Sequence, residues 1–214
     1  MEDKISFHNV SEIRDELKNI HELVSKYVQS GSDLYVHTLL VWGLLNRTYE
    51  FTDTAIWAIE SKRPQTSAHM LRGLIETLGF TYYTLDQILS ASDSKTKLER
   101  INNLYFGSRK PDTQYKSVNI LTCIDKATRM FPDLRTSYNA LSEIVHPNGT
   151  SFAYSGKADP DGVEGRVLFG IPFYDFKADD ERNVTNQVGE CCHHIIRLCS
   201  SIMTALTPSQ KKHN

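Results

Sequence analysis

The chain has 214 residues and a formal net charge of −2, from 24 basic and 26 acidic side chains. A chain of this length buries roughly 70% of the surface its unfolded form exposes, so it needs no disulfide or metal staple to fold. The balanced charge excludes a general polyanion coat protein and leaves any nucleic-acid contact to a local patch, while apolar runs such as TLLVWGLL (38–45) are far shorter than the ~20 residues that span a bilayer.

The first predicted helix covers residues 9–30. Asn9 and Glu12 have capping-box spacing, Ile13, Leu17, Ile20, Val24 and Tyr27 recur at three and four, and Gly31 ends it. A second helix, residues 33–61, carries Val36, Leu40, Leu44, Phe51, Ala55 and Ile59, with Trp42 and Trp57 broadening the apolar face. Its length, roughly 40 Å at 1.5 Å per residue, suggests the central helix of a bundle. A tight turn at 62–66 leads into a third helix ending near Ser90, with Leu71, Leu74, Ile75, Leu78, Tyr82, Leu85 and Leu89 as its core stripe. The short connection predicts an antiparallel hairpin with the second helix.

The other side of the third helix is chemically distinct. His69, Arg72, Glu76 and Tyr83 align there, with Gly79 beside them and Gly73 on the flank, where a second backbone can approach closely. That glycine-flanked polar face predicts a homodimer burying part of this helix or of the neighbouring last helix. Phe80 and Tyr82 sit at helical spacing suited to core packing. Further helices are expected over 96–106 and 116–130, and after Phe131-Pro132 another runs to His146.

That last segment, YNALSEIVHP (138–147), is the best candidate for a site. At 100° per residue, Arg135, Asn139, Ser142 and His146 fall on one arc and Leu141 and Val145 on another, and Pro147 stops the helix. Residues 148–178 are rich in glycine and proline, with Arg166-Val-Leu-Phe and Phe173-Tyr-Asp-Phe favouring extended structure. A long loop or small hairpin is expected there, of the kind that serves as a lid or a protein-partner contact. A final helix over 179–206 turns Val184, Val188, Ile195, Leu198, Ile202 and Leu206 inward and places Glu190, His193, His194 and Arg197 on the far side; a short tail, 207–214, follows. The fold class is all-α, a single domain of about five to seven helices.

Two Glu-x-x-His pairs, Glu143 with His146 and Glu190 with His193, imitate a di-metal carboxylate bundle, with Glu50, Glu60 and Glu76 available on other helices. The outward placement of Glu190 and His193 counts against it, so neither metal nor cofactor is expected. Consecutive Cys191-Cys-His-His194 fan around one helix and cannot supply a tetrahedral zinc set. The four cysteines form no C-x-x-C pair, and Met1-Glu-Asp-Lys lacks an apolar signal core, so a reduced, cytoplasmic chain is expected. Nucleotide-loop and hydrolase-elbow motifs are absent.

The blocks MLRGLIETLGFTYY (70–83) and YNALSEIVHP (138–147) resemble the paired blocks of HEPN-like helical proteins, particularly uncharacterised bacterial members. The resemblance implies a four- or five-helix bundle, frequent dimers and, in many members, a metal-independent ribonuclease site used in toxin and antiphage systems. Active members separate an arginine from a histidine by four to six residues on one helix. Here Asn139, Ala140 and Leu141 hold those places before His146, and a formal match elsewhere, Arg63 to His69, sits at a helix entrance. The site expected instead is composite: His146 as proton acceptor from a ribose hydroxyl with Ser142 one turn earlier, and Arg72 as phosphate holder with Glu76, while Arg135, Asn139, His69 and Tyr83 contact substrate. RNA is the expected partner of that reading. The alternative is a non-catalytic, dimeric interaction protein.

Overall fold

The structure, a computed structural model, describes residues 5–29, 36–108, 110, 114–146, 157–158, 167–168 and 178–206. Seven helices stand among them: α1 (Val10–Gln29), α2 (Val36–Glu60), α3 (Pro64–Leu89), α4 (Ser94–Phe106), α5 (Ile120–Ala127), α6 (Leu134–Val145) and α7 (Ala178–Leu206). Lys157–Ala158 and Val167–Leu168 pair as a two-residue antiparallel ladder, the described part of the expected hairpin. The rest of 148–177, the Phe173-Tyr-Asp-Phe piece and the tail lie outside the described residues.

Helix ends follow local chemistry. Asn9 Oδ1 accepts from the backbone N–H groups of Ser11 and Glu12, and Glu12 reaches back to the His8 N–H at 2.8 Å, which completes the capping box. Between α2 and α3, Lys62 adopts φ 54° while Arg63 N–H bonds the Ala58 carbonyl at 2.7 Å, and Pro64 opens α3, where its missing donor costs nothing. Arg14 of α1 holds Glu60 through both carboxylate oxygens at 2.8 Å, and Lys62 pairs with Glu181 of α7.

α3, not α2, is the central helix. It packs against α2 and α7 on one side, α5 and α6 on the other, and α4 near its end. Leu71, Leu74, Ile75 and Leu78 are buried in one continuous apolar cluster with Ile13 and Leu17 of α1, Leu44 and Ile56 of α2, and Ile195 and Ile202 of α7. Burial on almost every side explains the threonines of α3: Thr77, Thr81 and Thr84 return their hydroxyls to the carbonyls four residues earlier, which satisfies them without an outside partner. Three expectations for apolar residues fail. Trp42 and Trp57 are 54% and 55% exposed, and Leu89 is 65% exposed, because each sits on the outer arc of its helix with no further element over it among the described residues.

The glycines of α3 are also explained within the chain. A Cβ on Gly79 would stand 3.0 Å from Ile124 Cγ1 and 3.2 Å from the Ile124 backbone, so α5 is the close neighbour; one on Gly73 would collide with the Phe51 ring of α2. These contacts use the feature that motivated a homodimer through α3. The helix expected over 116–130 is shorter at both ends. Asn119 caps it by accepting from Leu121 N–H at 3.0 Å, Ser117 N–H bonds back to the Ser108 carbonyl, and Met130 and Phe131 both turn onto the Ala127 carbonyl.

Gly79→Val should lower stability by about 1–3 kcal/mol in urea denaturation, because two methyl groups must be accommodated against backbone, which cannot rotate away. A second expectation concerns α4. Asp93 caps it, accepting from Thr96 N–H and from the Thr96 and Ser92 hydroxyls, and these bonds, the Thr96 N–H first, pull its carboxyl down to about 2. A depressed folded-state pKa gives a contribution present above the unfolded value, about 3.9, and lost as pH falls toward the folded one. The Asp93→Ala protein should therefore lose the part of the acid transition that lies between about pH 4 and 2, as read by melting temperature against pH.

Candidate functional site

A cleft of about 920 Å³ opens between α2, α3 and α6, with the ends of α4 and α5 on its rim. Of the eight residues expected to form a site, six line it: Arg72 and Glu76 from α3, and Arg135, Asn139, Ser142 and His146 from α6 and its C-cap. The two faces that periodicity identified separately therefore meet. His69 is exposed and Tyr83 lines a different hollow, with Lys126 Nζ 4.9 Å from its ring centroid. Neither contributes to the cleft, because both share the arc of Arg72 and Glu76 but lie along the axis beyond residues 72–80, the stretch of α3 that lines it.

The polar side of the cleft is one connected network. Arg72 Nη2 donates to Tyr138 Oη at 2.9 Å and lies 3.5 Å from Glu76 Oε1; Tyr138 Oη is 3.5 Å from the same oxygen. Arg47 of α2 approaches from the opposite wall, with Nη2 3.7 Å from Glu76 Oε2, Nε donating to Thr77 Oγ1 at 3.0 Å, and its guanidinium 4.4 Å above the Phe51 ring. One carboxylate thus sits between two guanidinium groups. Arg72 Nε is buried with no acceptor among the described residues. Arg135 donates to Asp125 of α5 at 2.7 Å, and Ser142 returns its hydroxyl to the Tyr138 carbonyl at 2.8 Å. His146 ends α6 in an extended conformation, φ −79° and ψ 142°, as a residue before proline must, and its ring is exposed at the rim. Leu40, Leu44, Phe80 and Leu121 supply an apolar stretch of wall, and Asn119 and Glu143 complete the polar lining.

Arg47, Tyr138 and Phe80 were not anticipated as site residues. Arg47 is the only lysine or arginine in α2, an anomaly in a helix otherwise legible by its apolar positions, and this was the available signal. Tyr138 is 7% exposed and counts as core by burial, while its hydroxyl faces the cleft. Phe80 packs on the core as its spacing predicted and also forms cleft wall.

The two Glu-x-x-His pairs are not brought together. Glu143 and His146 line the cleft, whereas His193 Nδ1 is 3.0 Å from Glu16 Oε1 under α1, and Glu190 accepts from Asn186. His193 is thus not on an open far side, since α1 covers that face of α7. No group of three or more His, Cys, Asp or Glu positioned for a metal stands among the described residues. All four cysteines are buried; burial pushes the Cys123 and Cys192 thiols up to about 11 and 12, and those of Cys191 and Cys199 up as well, so they are packing groups and poor nucleophiles.

No family model, curated protein or solved structure matches the chain. No described helix is long and apolar enough to cross a membrane.

The network predicts coupled energetics. Glu76→Gln and Tyr138→Phe should each cost about 1 kcal/mol in stability, since the first removes the charge facing Arg72 and the second removes the hydroxyl that accepts from it. In a double-mutant cycle they should show a coupling of at least about 0.5 kcal/mol, and strict additivity would mean that the three groups do not act as a unit.

Proposed function

We propose that the cleft binds single-stranded RNA and cleaves it without a metal ion. The observation that carries this reading is the convergence of Arg72, Arg47, Arg135 and His146 on one cleft with a partly apolar wall. Guanidinium groups hold a phosphate, an exposed imidazole can take the ribose hydroxyl proton, and Phe80 and the aliphatic wall suit an unstacked base. Glu76 fixes the two arginines from between, so its role is to position them; Ser142, tied to its own helix, shapes the wall beside His146. The likeness to HEPN-like proteins is compatible with this chemistry, with the arginine supplied by α3 in place of the helix that carries the histidine.

A ribose hydroxyl attacking its own phosphate leaves a cyclic phosphate end, and the protein should therefore produce such ends from mixed single-stranded RNAs in the presence of EDTA. His146→Ala should lose on the order of 10²-fold in rate with its melting temperature unchanged, and Arg72→Ala should weaken both binding and rate. Absence of cleavage at high enzyme concentration, with or without divalent ions, would remove the enzymatic reading.

A second reading, a non-catalytic dimeric interaction protein, is favoured by Trp42 and Trp57, two large apolar rings more than half exposed on α2. It predicts that sedimentation shows a dimer which Trp57→Glu disperses, and that His146→Ala changes nothing measurable. The proposed contact of residues 148–178 with a protein partner belongs to this reading and lies largely outside the described residues.

A further inference from the structure

Next to the cleft lies a second hollow of about 400 Å³ whose lining is unlike the first: one aromatic ring, Tyr83; three amides, Gln87, Asn103 and Gln114; two cations, Arg100 and Lys116; and, among the described residues, no carboxylate. Three elements build both hollows. α3 gives Phe80 to the cleft and Tyr83, one turn on, to the second hollow; α4 gives Tyr105 to one and Asn103 to the other; the segment before α5 gives Asn119 to one and Lys116 to the other. The two are therefore neighbours, separated by the end of α4 and the 116–119 backbone. That backbone is pinned: Ser108 N–H bonds the Tyr115 carbonyl at 3.0 Å and Ser117 N–H bonds the Ser108 carbonyl at 3.2 Å.

We propose that this hollow is a further nucleotide subsite, taking the base and phosphate that follow the dinucleotide step whose linking phosphate the cleft holds. The inference rests on the RNA reading above and deepens it by giving the chain a recognition element beyond the cleaved bond. Each lining group has a role in that chemistry. Tyr83 offers a ring for stacking, held in place by Lys126, which is itself anchored to Asp86 at 3.0 Å. The amides carry donors and acceptors that can read the edge of an unpaired base, which is how single-stranded RNA is distinguished by sequence. Arg100 is fixed by donating to the Gln87 carbonyl and the Ser90 hydroxyl, both at 2.8 Å, and Lys116 is an exposed cation within reach of a phosphate. It also accounts for Tyr83, which lies on the polar arc of α3 yet outside the cleft.

The test compares fluorescence anisotropy of a labelled RNA decamer with competition by a dinucleotide, for the full chain and for Tyr83→Leu, Tyr83→Phe, Lys116→Ala and Arg72→Ala. Tyr83→Leu should weaken the decamer roughly five- to a hundredfold, the loss expected for one base stack, while leaving the dinucleotide unchanged; Tyr83→Phe should restore binding. Lys116→Ala, an exposed change that does not threaten the fold, should make the salt dependence of decamer binding shallower by about 0.7, the value for one phosphate contact on a single strand. Arg72→Ala should weaken both ligands. Decamer binding that Arg72→Ala weakens but that neither Tyr83→Leu nor Lys116→Ala alters would overturn the second subsite and leave the cleft reading standing. Failure of the unmodified protein to bind either RNA would overturn both.

Discussion

Arg72 is a cation on a helix buried on most of its circumference, and the structure is organised by what it takes to accommodate that charge. Leu71 and Gly73 on either side of it are buried, and its side chain, 26% exposed, faces the cleft between α2 and α6. The low-dielectric surroundings make an unpaired guanidinium expensive. Tyr138 from α6 and Glu76 from α3 supply acceptors, and Glu76 in turn draws Arg47 from α2. Arg72, Tyr138, Glu76 and Arg47 therefore join three helices along the polar side of the cleft.

That arrangement has a consequence for chemistry. Two guanidinium groups share one carboxylate, so the Arg47–Glu76–Arg72 cluster carries one positive charge beyond its own carboxylate, while Glu143 adds a second carboxylate to the cleft lining and Arg135 is paired with Asp125. An anion entering the cleft meets donors that are already oriented, so little ordering cost remains at binding. His146 is different in kind: it stands at a helix end, on the rim and exposed, where a ring can exchange protons with solvent. Arg72, with 26% of its side chain exposed, is the most covered of the three arginines; Arg47 and Arg135 are more open, and His146 is exposed on the rim.

Several features were legible from residues alone because they are set by neighbours in the chain. The Asn9–Glu12 capping box, the stop before Pro147, the turn at Lys62–Pro64 and the apolar stripes of α1, α3 and α7 each depend on contacts within a few residues. The polar arc of α6 was read correctly for the same reason, as was the i,i+4 relation of Arg72 and Glu76. Errors arose where a helical stripe was extended without knowing what covers it. Trp42, Trp57 and Leu89 continue apolar patterns into solvent, while His193, placed on an outer face, is covered by α1. Gly79 of α3 did signal close backbone approach, but the neighbour is α5 of the same chain, while Gly73 makes room for the Phe51 ring of α2.

The amino-acid sequence by itself determined the helices, their caps and the two polar arcs that carry Arg72 and His146, because a helical face is a matter of 3.6-residue periodicity and local hydrogen bonding. Which arcs face one another was decided only by the tertiary structure. Placing α3 at the centre brought α6 against it, admitted Arg47 from a helix whose pattern reads as core, and left Tyr83 and His69 outside the cleft. The physical reason is that periodicity specifies orientation about one helix axis and carries no information on the position of the next axis. That position follows from burying the apolar stripes together and from satisfying the charge that the burial encloses.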